Sequence, residues 1–453
     1  MYNLANSGLG ADLVSQPPDR PEESEVAIVN KLDRGHRLWT IPEVETQREV
    51  FKEIQGYCVI GHGKRLVWLA LLRFLCRDTN QKLAMQALAR YGQAATSAYD
   101  LHQSYVSRNV PTAGVGVVRA VGLSSTGYEV FPDEQAPEPL EFQSGFAKQG
   151  EYPSLSRYDA LIVLAGTHSE LEGEKQKLES AFKDLAEVHW EFSEVRRFNQ
   201  LGFEEGISQP VFFEATWTGP PASQLKYNPA TNLGIVLADP HGNGEYGSFL
   251  AYVKFKLDID RFNDYTEEIA RSCRTTREVA ASWFLGRHPS TSAPLAIEGK
   301  TNDSFTFDED KSFALCPAGA HIRKMADRTR LDGWPYTQGT ADGKPPDRDN
   351  ALTHRIYRCG TLYDQNGEQG LLFQSFQSSL AAGFEKLFFK WAKDENSPEH
   401  GSGPDAILAD RHSAPHPQGV TVKLPATKAV ATVKDGEYFY FPGIPFFSRA
   451  LPK

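Results

Sequence analysis

The chain has 453 residues, 40% of them hydrophobic and 11% aromatic, enough for a substantial core divided between two or three domains. Its 58 acids against 48 bases give a net charge of -10, which removes any electrostatic reason to bind nucleic acid or an anionic membrane surface. Five scattered cysteines without a CxxC pair argue against a disulfide framework or a zinc site, and point to a reducing compartment.

In chain order, residues 1–48 are polar and proline-bearing and read as a mobile or wrapping arm, with neither the basic start nor the apolar run of a signal peptide. No apolar run is long enough to cross a membrane as a helix. The segment "VWLALLRFL" at 67–75 reads as a buried strand, and "DALIVLAG" at 159–166 as another. After the second comes a helix with Leu178, Phe182 and Leu185 on one face. The rhythm repeats beyond the Gly/Pro/Thr-rich "TWTGPPASQ" at 216–224. "SFLAYVKFKL" at 248–257 reads as a strand, and the following helix aligns Phe262, Tyr265 and Ile269. A strand at 370–376 precedes a helix with Leu380, Phe384, Leu387 and Trp391 in register, and "EYFYF" at 437–441 is a last strand. The expected architecture is α+β: the arm at 1–48, then units at 49–216 and 217–453.

Three short segments can carry chemistry. "GFEEG" at 202–206 puts Glu204 and Glu205 between glycines and by itself reads as a wet turn. In "CPAGAHIRKMADRTR" at 316–330, small residues beside His321 leave room for a flat macrocycle, and Arg323 and its basic neighbours could pair with propionates. In "THRIYRCG" at 353–360, β alternation places Arg355 and Arg358 on opposite faces, so one of them points inward and needs an anionic or strongly polar partner. His412 and His416, beside prolines, read as solvent-facing, and the Asn302-Asp303-Ser304 sequon as a turn.

Taken in order, these segments resemble the dye-decolourising peroxidase family, with GxxEG in place of its GxxDG. "EIQGYCVIGHGK" at 53–64 is similar to the family's IQG strand-turn and "FLGRHPSTSAPL" at 284–295 to its GR…GAPL segment. "CPAGAHIRK" is similar to the proximal histidine motif, "HRIYRCG" to the distal arginine strand, "GLLFQSFQ" to the distal wall and "GPDAILADR" to the late acidic segment. The resemblance implies two ferredoxin-like domains with antiparallel sheets and one haem b per chain, held mainly in the C-terminal domain. His321 is then the axial iron ligand and Asp405 its hydrogen-bond partner. Glu205 becomes the distal acid/base and Arg358 the charge-stabilising group, while Leu371 and Phe373 line the distal cavity and Arg323 is a further cofactor contact.

The implied reaction is reduction of hydrogen peroxide with oxidation of bulky dyes or phenolic compounds. Such reductants exceed the cavity, so electrons would pass through a surface residue. Trp334, Tyr336, Tyr363 and Trp391 are candidates, with Trp391 on an apolar stripe and read first as core. No nucleic-acid or membrane partner is expected, a homodimer is an admissible assembly, and the location is cytoplasmic or reached by unconventional secretion. A haem-binding protein for storage or sensing, without turnover, is the alternative.

Overall fold

The structure is a computed structural model, and it describes residue 32 and residues 37–451 except 62, 76–79, 108–114, 132–133, 135, 138–139, 147–156, 218–228, 297–303, 308–309, 326–353, 398–400, 421–422 and 450. The first half carries β1 (Leu66–Phe74), α1 (Gln81–Gln93), α2 (Ala98–Val106), β2 (Val118–Leu123), β3 (Ala160–Gly166), α3 (His168–Ala181) and β4 (Ala186–Glu194). The second carries β5 (Ser248–Leu257), α4 (Ile259–Cys273), α5 (Arg277–Leu285), α6 (His321–Met325), β6 (Tyr357–Arg358), β7 (Thr361–Gln365), β8 (Glu368–Gln377), a π-helix at Ala381–Trp391 and β9 (Ala431–Phe441).

Within each half the strand order follows a βαββαβ path. The first runs β4-β1-β3-β2 and the second β9-β5-β8-β7, all antiparallel, which is the ferredoxin-like arrangement used twice. The two sets join edge to edge through β2–β9 and β4–β7, so eight strands close into a ring and β6 hangs from β8. Each joint is short, one residue pair long: Leu123 opposite Tyr440, and Glu194 opposite Leu362. Side chains reinforce both. Buried Gln55 donates to the carbonyls of Val121 and Pro442, each at 2.8 Å, and accepts from the Val121 N–H. At the other joint Ser193 and Thr361 share a hydroxyl hydrogen bond of 2.8 Å.

Because helices and loops cover both faces, β1 is apolar at nearly every position. Val67, Leu69 and Leu71 enter one core, Trp68, Ala70 and Leu72 the other, and all six are buried. The expected strands at 67–75, 159–166, 248–257, 370–376 and 437–441 all occur, some of them longer. Two expectations need correction. The helix expected to include Phe182 and Leu185 stops at Ala181; Phe182 is its cap, and Asp184 turns the chain with φ 64° into β4. The segment from Leu380 to Trp391 is not α-helical but a π-helix, with Glu385 N–H bonded to Leu380 and Ala392 N–H to Leu387. Of the expected arm, Leu38, Trp39 and Val44 are buried, and Trp39 bridges to Phe213. The stretch at 216–224 lies outside the described residues from 218 onward.

Candidate functional site

On the sheet face carrying Phe255, Leu371 and Phe373 lies a cavity of about 310 Å³, within the size range of small-molecule and cofactor sites. Phe384, Leu387, Phe388 and Trp391 of the π-helix close one side, and Ile407 and Leu408 continue the apolar wall. The polar groups on its lining include Glu204, Glu205, Arg287, His321, His354, Arg355 and Arg358.

His321 opens α6, and its ring reaches the cavity. Its Nδ1 lies 2.9 Å from Oδ2 of Asp405, a fully buried carboxylate 84 residues later in the chain. The other oxygen, Oδ1, accepts the backbone N–H groups of Ile407 at 2.8 Å and Leu408 at 2.9 Å. Burial alone would raise the Asp405 pKa, but the paired imidazole and these two N–H donors outweigh it and hold the carboxyl below its ordinary value. Asp405 is the acceptor and the imidazole Nδ1 the donor, which leaves Nε2 with no hydrogen-bond partner among the described residues.

Behind this pair sit two cations in cages of carbonyls, Lys324 buried and Arg411 half-buried. Lys324 donates to the carbonyls of Asp394 at 2.6 Å and Ser397, and burial lowers its pKa to about 8. Arg411 donates to Ser402 at 3.2 Å, Ser413 at 3.1 Å and Pro404. A Cβ at Gly319 would collide with the Arg411 guanidinium. Among the small residues before His321, Gly319 therefore makes room for an arginine of the protein.

Elsewhere on the same lining, the chain leaves β4 and folds into a tight hairpin. Asn199 N–H donates to Phe203 at 2.8 Å and Glu205 N–H to Arg197 at 2.9 Å, with Gly202 at φ 89° in the turn and Gly206 at φ 76° after it. Glu204 pairs with Arg197 at 3.1 Å, while Glu205 Oε1 accepts from Asn199 Nδ2 at 2.7 Å. The segment containing Arg287 braces the hairpin. Ser290 N–H donates to Gly202 at 3.0 Å, Glu204 N–H to the Ser292 hydroxyl at 3.1 Å, and Arg287, itself buried, donates to the Ser208 hydroxyl at 2.8 Å.

Arg358 lies on β6 and donates to the carbonyls of Ile207 at 2.7 Å and Ser208 at 3.3 Å. Gln209 locks to its backbone by two further hydrogen bonds, of 2.8 and 3.2 Å.

Of the residues singled out in sequence, Glu205, His321, Arg358, Leu371 and Phe373 line this one cavity, and Asp405 stands directly behind His321. Arg323 is not brought there. Its side chain is fully buried, bonded to the Asp310 carboxylate and carbonyl, and stacked between Phe307 at 4.2 Å and Phe313 at 4.7 Å. The expectation that only one of Arg355 and Arg358 faces inward also fails: both line the cavity, because the strand begins at Tyr357 and alternation does not extend back to Arg355.

Trp391, read first as core, is a half-buried cavity-wall residue whose ring meets that of His354 edge-on at 5.2 Å. Tyr363 is buried with its hydroxyl on Glu368 at 3.0 Å; Trp334 and Tyr336 lie outside the described residues. His412 is almost fully exposed, and His416 is half-buried. Sequence reading passed over Asn199, Gln209, Arg287 and His354. Of these only Arg287 carried a signal, as the arginine of the GR segment.

No family model matches the chain. It is 22% identical over 397 residues to dye-decolorizing peroxidase AauDyP1 of Auricularia auricula-judae, across 76% of this chain and 75% of that protein. It is 28% identical over 285 residues to the multifunctional dye peroxidase DyP2 of an Amycolatopsis species, across 54% of this chain and 59% of that one. Among solved structures, a DyP-type peroxidase of Anabaena superposes with a TM-score of 0.77 at 22% identity, over 90% of this chain and 96% of that one. The structure of DyP2 from Amycolatopsis gives 0.73 at 22% identity, over 89% and 96%. The fold is that of the DyP-type peroxidases, and the sequence likeness points to the same group.

Proposed function

We propose that the protein is a haem peroxidase that reduces hydrogen peroxide and oxidises bulky dyes or phenolic compounds, with one haem b per chain. The observation that carries this reading is the pairing, across one apolar cavity, of a carboxylate-held histidine with an acid and an arginine. The residues present fit the cofactor. His321 offers an Nε2 lone pair, the aromatic and aliphatic walls suit a flat apolar ring, and Arg287, Arg355 and His354 supply polar groups for its carboxylates.

When bound, haem supplies the iron that takes up the oxidising equivalents of peroxide. The chain's own residues do the rest. Asp405 keeps the His321 imidazole in one tautomer and makes it a stronger electron donor through Nε2. Glu205 takes the proton from one peroxide oxygen and returns it to the other, a transfer worth on the order of 10²–10⁴ in rate. Arg358 stabilises negative charge growing on the departing oxygen, and its anchorage to Ile207 and Ser208 means that no reorganisation is needed at that moment. Leu371 and Phe373 keep water away, which strengthens both effects.

The test is to load the purified protein with haem, add one equivalent of hydrogen peroxide and follow the visible spectrum. A rapid spectral change that a phenolic dye reverses, with the dye consumed in proportion, is the expected result. An unchanged spectrum, or bleaching with no dye oxidised, would overturn the reading in favour of haem storage or sensing.

A further inference from the structure

We infer that Asn199 is a positioning residue for the distal acid, fixing the Glu205 carboxylate through its side-chain amide. The inference rests on the reading of Glu205 as the proton shuttle and deepens it. A glutamate has one more rotatable bond than an aspartate, and proton transfer tolerates little misplacement. Something must hold the longer side chain.

The hairpin leaves the Asn199 amide no choice of orientation. Its Oδ1 accepts two backbone N–H groups, from Leu201 at 3.0 Å and Phe203 at 3.1 Å. Flipping the amide would set its NH₂ against two donors, so the oxygen is fixed in the turn and Nδ2 must point outward. There it meets Glu205 Oε1 at 2.7 Å, a distance typical of charge-assisted hydrogen bonds. Among the described residues the Glu205 carboxylate has no other hydrogen-bond or ion-pair partner, and Arg358 is not within ion-pair distance of it. One oxygen is therefore held and the other, Oε2, is left for the proton.

The backbone is consistent with this division. Asn199 N–H bonds to Phe203 and its carbonyl accepts from Gly202, so residue 199 does not move unless the whole turn does. Phe203 is buried against Phe262, with ring centroids 6.3 Å apart, and anchors that turn to α4. A chain of fixed contacts thus runs from the core, through Phe203 and the Asn199 amide, to a single carboxylate oxygen.

The decisive variant is Asn199→Asp. Its carboxylate can still accept both turn N–H groups, but it has no donor for Glu205 and sets a like charge beside it. With haem-loaded protein, the readout is the rate of cyanide binding, which needs a distal base to take the proton from hydrogen cyanide, together with the pH profile of the peroxide step. Loss of one charge-assisted hydrogen bond predicts about a tenfold slower cyanide association. The acid limb of the profile should move to higher pH, with haem content unchanged. Asn199→Ser, which keeps a turn acceptor and cannot reach Glu205, should slow cyanide binding as well.

In a Glu205→Asp background the shorter acid cannot reach the amide, so adding the neutral Asn199→Ser should change the rate less than twofold. Unchanged cyanide binding in both Asn199 variants, or an equal effect in both backgrounds, would overturn the inference. Glu205→Gln separates the two levels. If that variant binds cyanide at the wild-type rate, the reading of Glu205 as the shuttle fails. If it is slow while Asn199→Asp is normal, only the role of Asn199 fails.

Discussion

The two walls of the cavity hold their acids in different ways. Behind His321, Asp405 is fully buried and accepts three hydrogen bonds, two of them from backbone N–H groups that no side-chain change removes. On the other side, Glu205 is half-buried and tied by one side-chain amide on a hairpin segment that is itself braced from two others, those of Arg287 and Arg358. The proximal acid is built not to move, whereas the distal acid is held at one oxygen only. That contrast follows from their work. A group that tunes a ligand is best fixed, while one that moves a proton between two atoms needs an uncommitted oxygen.

The largest expected effect tests the proximal wall. Among the described residues His321→Ala removes the only cavity-lining histidine whose Nδ1 is held by a carboxylate, and should abolish stoichiometric haem binding, measured by absorbance after reconstitution and gel filtration. Next in size is the distal acid: Glu205→Gln should retain haem and slow the peroxide step by about 10²–10⁴-fold in stopped-flow traces. A variant that behaves oppositely on either wall would break the contrast.

Smaller, and on the proximal side, is Asp405→Asn. An amide has only one acceptor oxygen, so it cannot accept from His321 and from the Ile407 and Leu408 N–H groups together, and the charge is gone as well; haem affinity should fall by about 10–100-fold and the iron reduction potential should rise, read by competition with apomyoglobin and by redox titration.

The smallest effect supplies a baseline remote from both walls. Glu437 on β9 is almost wholly buried, and burial raises its pKa to about 7 although its carboxylate accepts from the Tyr438 and Phe146 N–H groups. The folded protein thus binds a proton there that the unfolded chain releases at about 4.5, its ordinary value. That contribution to stability is fully present below about pH 4.5 and is lost as pH rises toward 7. Glu437→Gln should flatten the fall in melting temperature across this window and leave the pH profile of peroxide turnover in place, which separates the titration of the fold from that of the distal wall.

How much of this could be read from sequence depended on whether a segment is buried on both faces. The runs around Leu69, Ile162 and Leu250 are continuous and apolar, and so were legible as strands. β4, "AEVHWEFSE", carried a different signal that went unread: it alternates apolar and polar residues, as a strand with one face partly in water does. The π-helix was invisible for another reason: Leu380, Phe384, Leu387 and Trp391 satisfy an α-helical register equally well, and only the hydrogen bonds distinguish the two.

At the site, His321, Asp405, Glu205 and Arg358 could be named from the order of their motifs. Asn199 could not, since its role arises from a turn that bends two oxygen-seeking N–H groups onto one amide. Arg323 misled because charge near a histidine says nothing about an aspartate 13 residues earlier that already claims it.

The closed ring of strands sets a timetable for the nascent chain. The hairpin bearing Glu205 can form once β4 has left the ribosome, but His321, Arg358 and Asp405 emerge only later, and the two short joints wait for β7 and β9. A cavity with both walls exists only after the last strand has docked and Gln55 has bridged Val121 to Pro442. Any cofactor that this cavity takes would therefore be loaded late, because the half-made chain has no pocket to hold it.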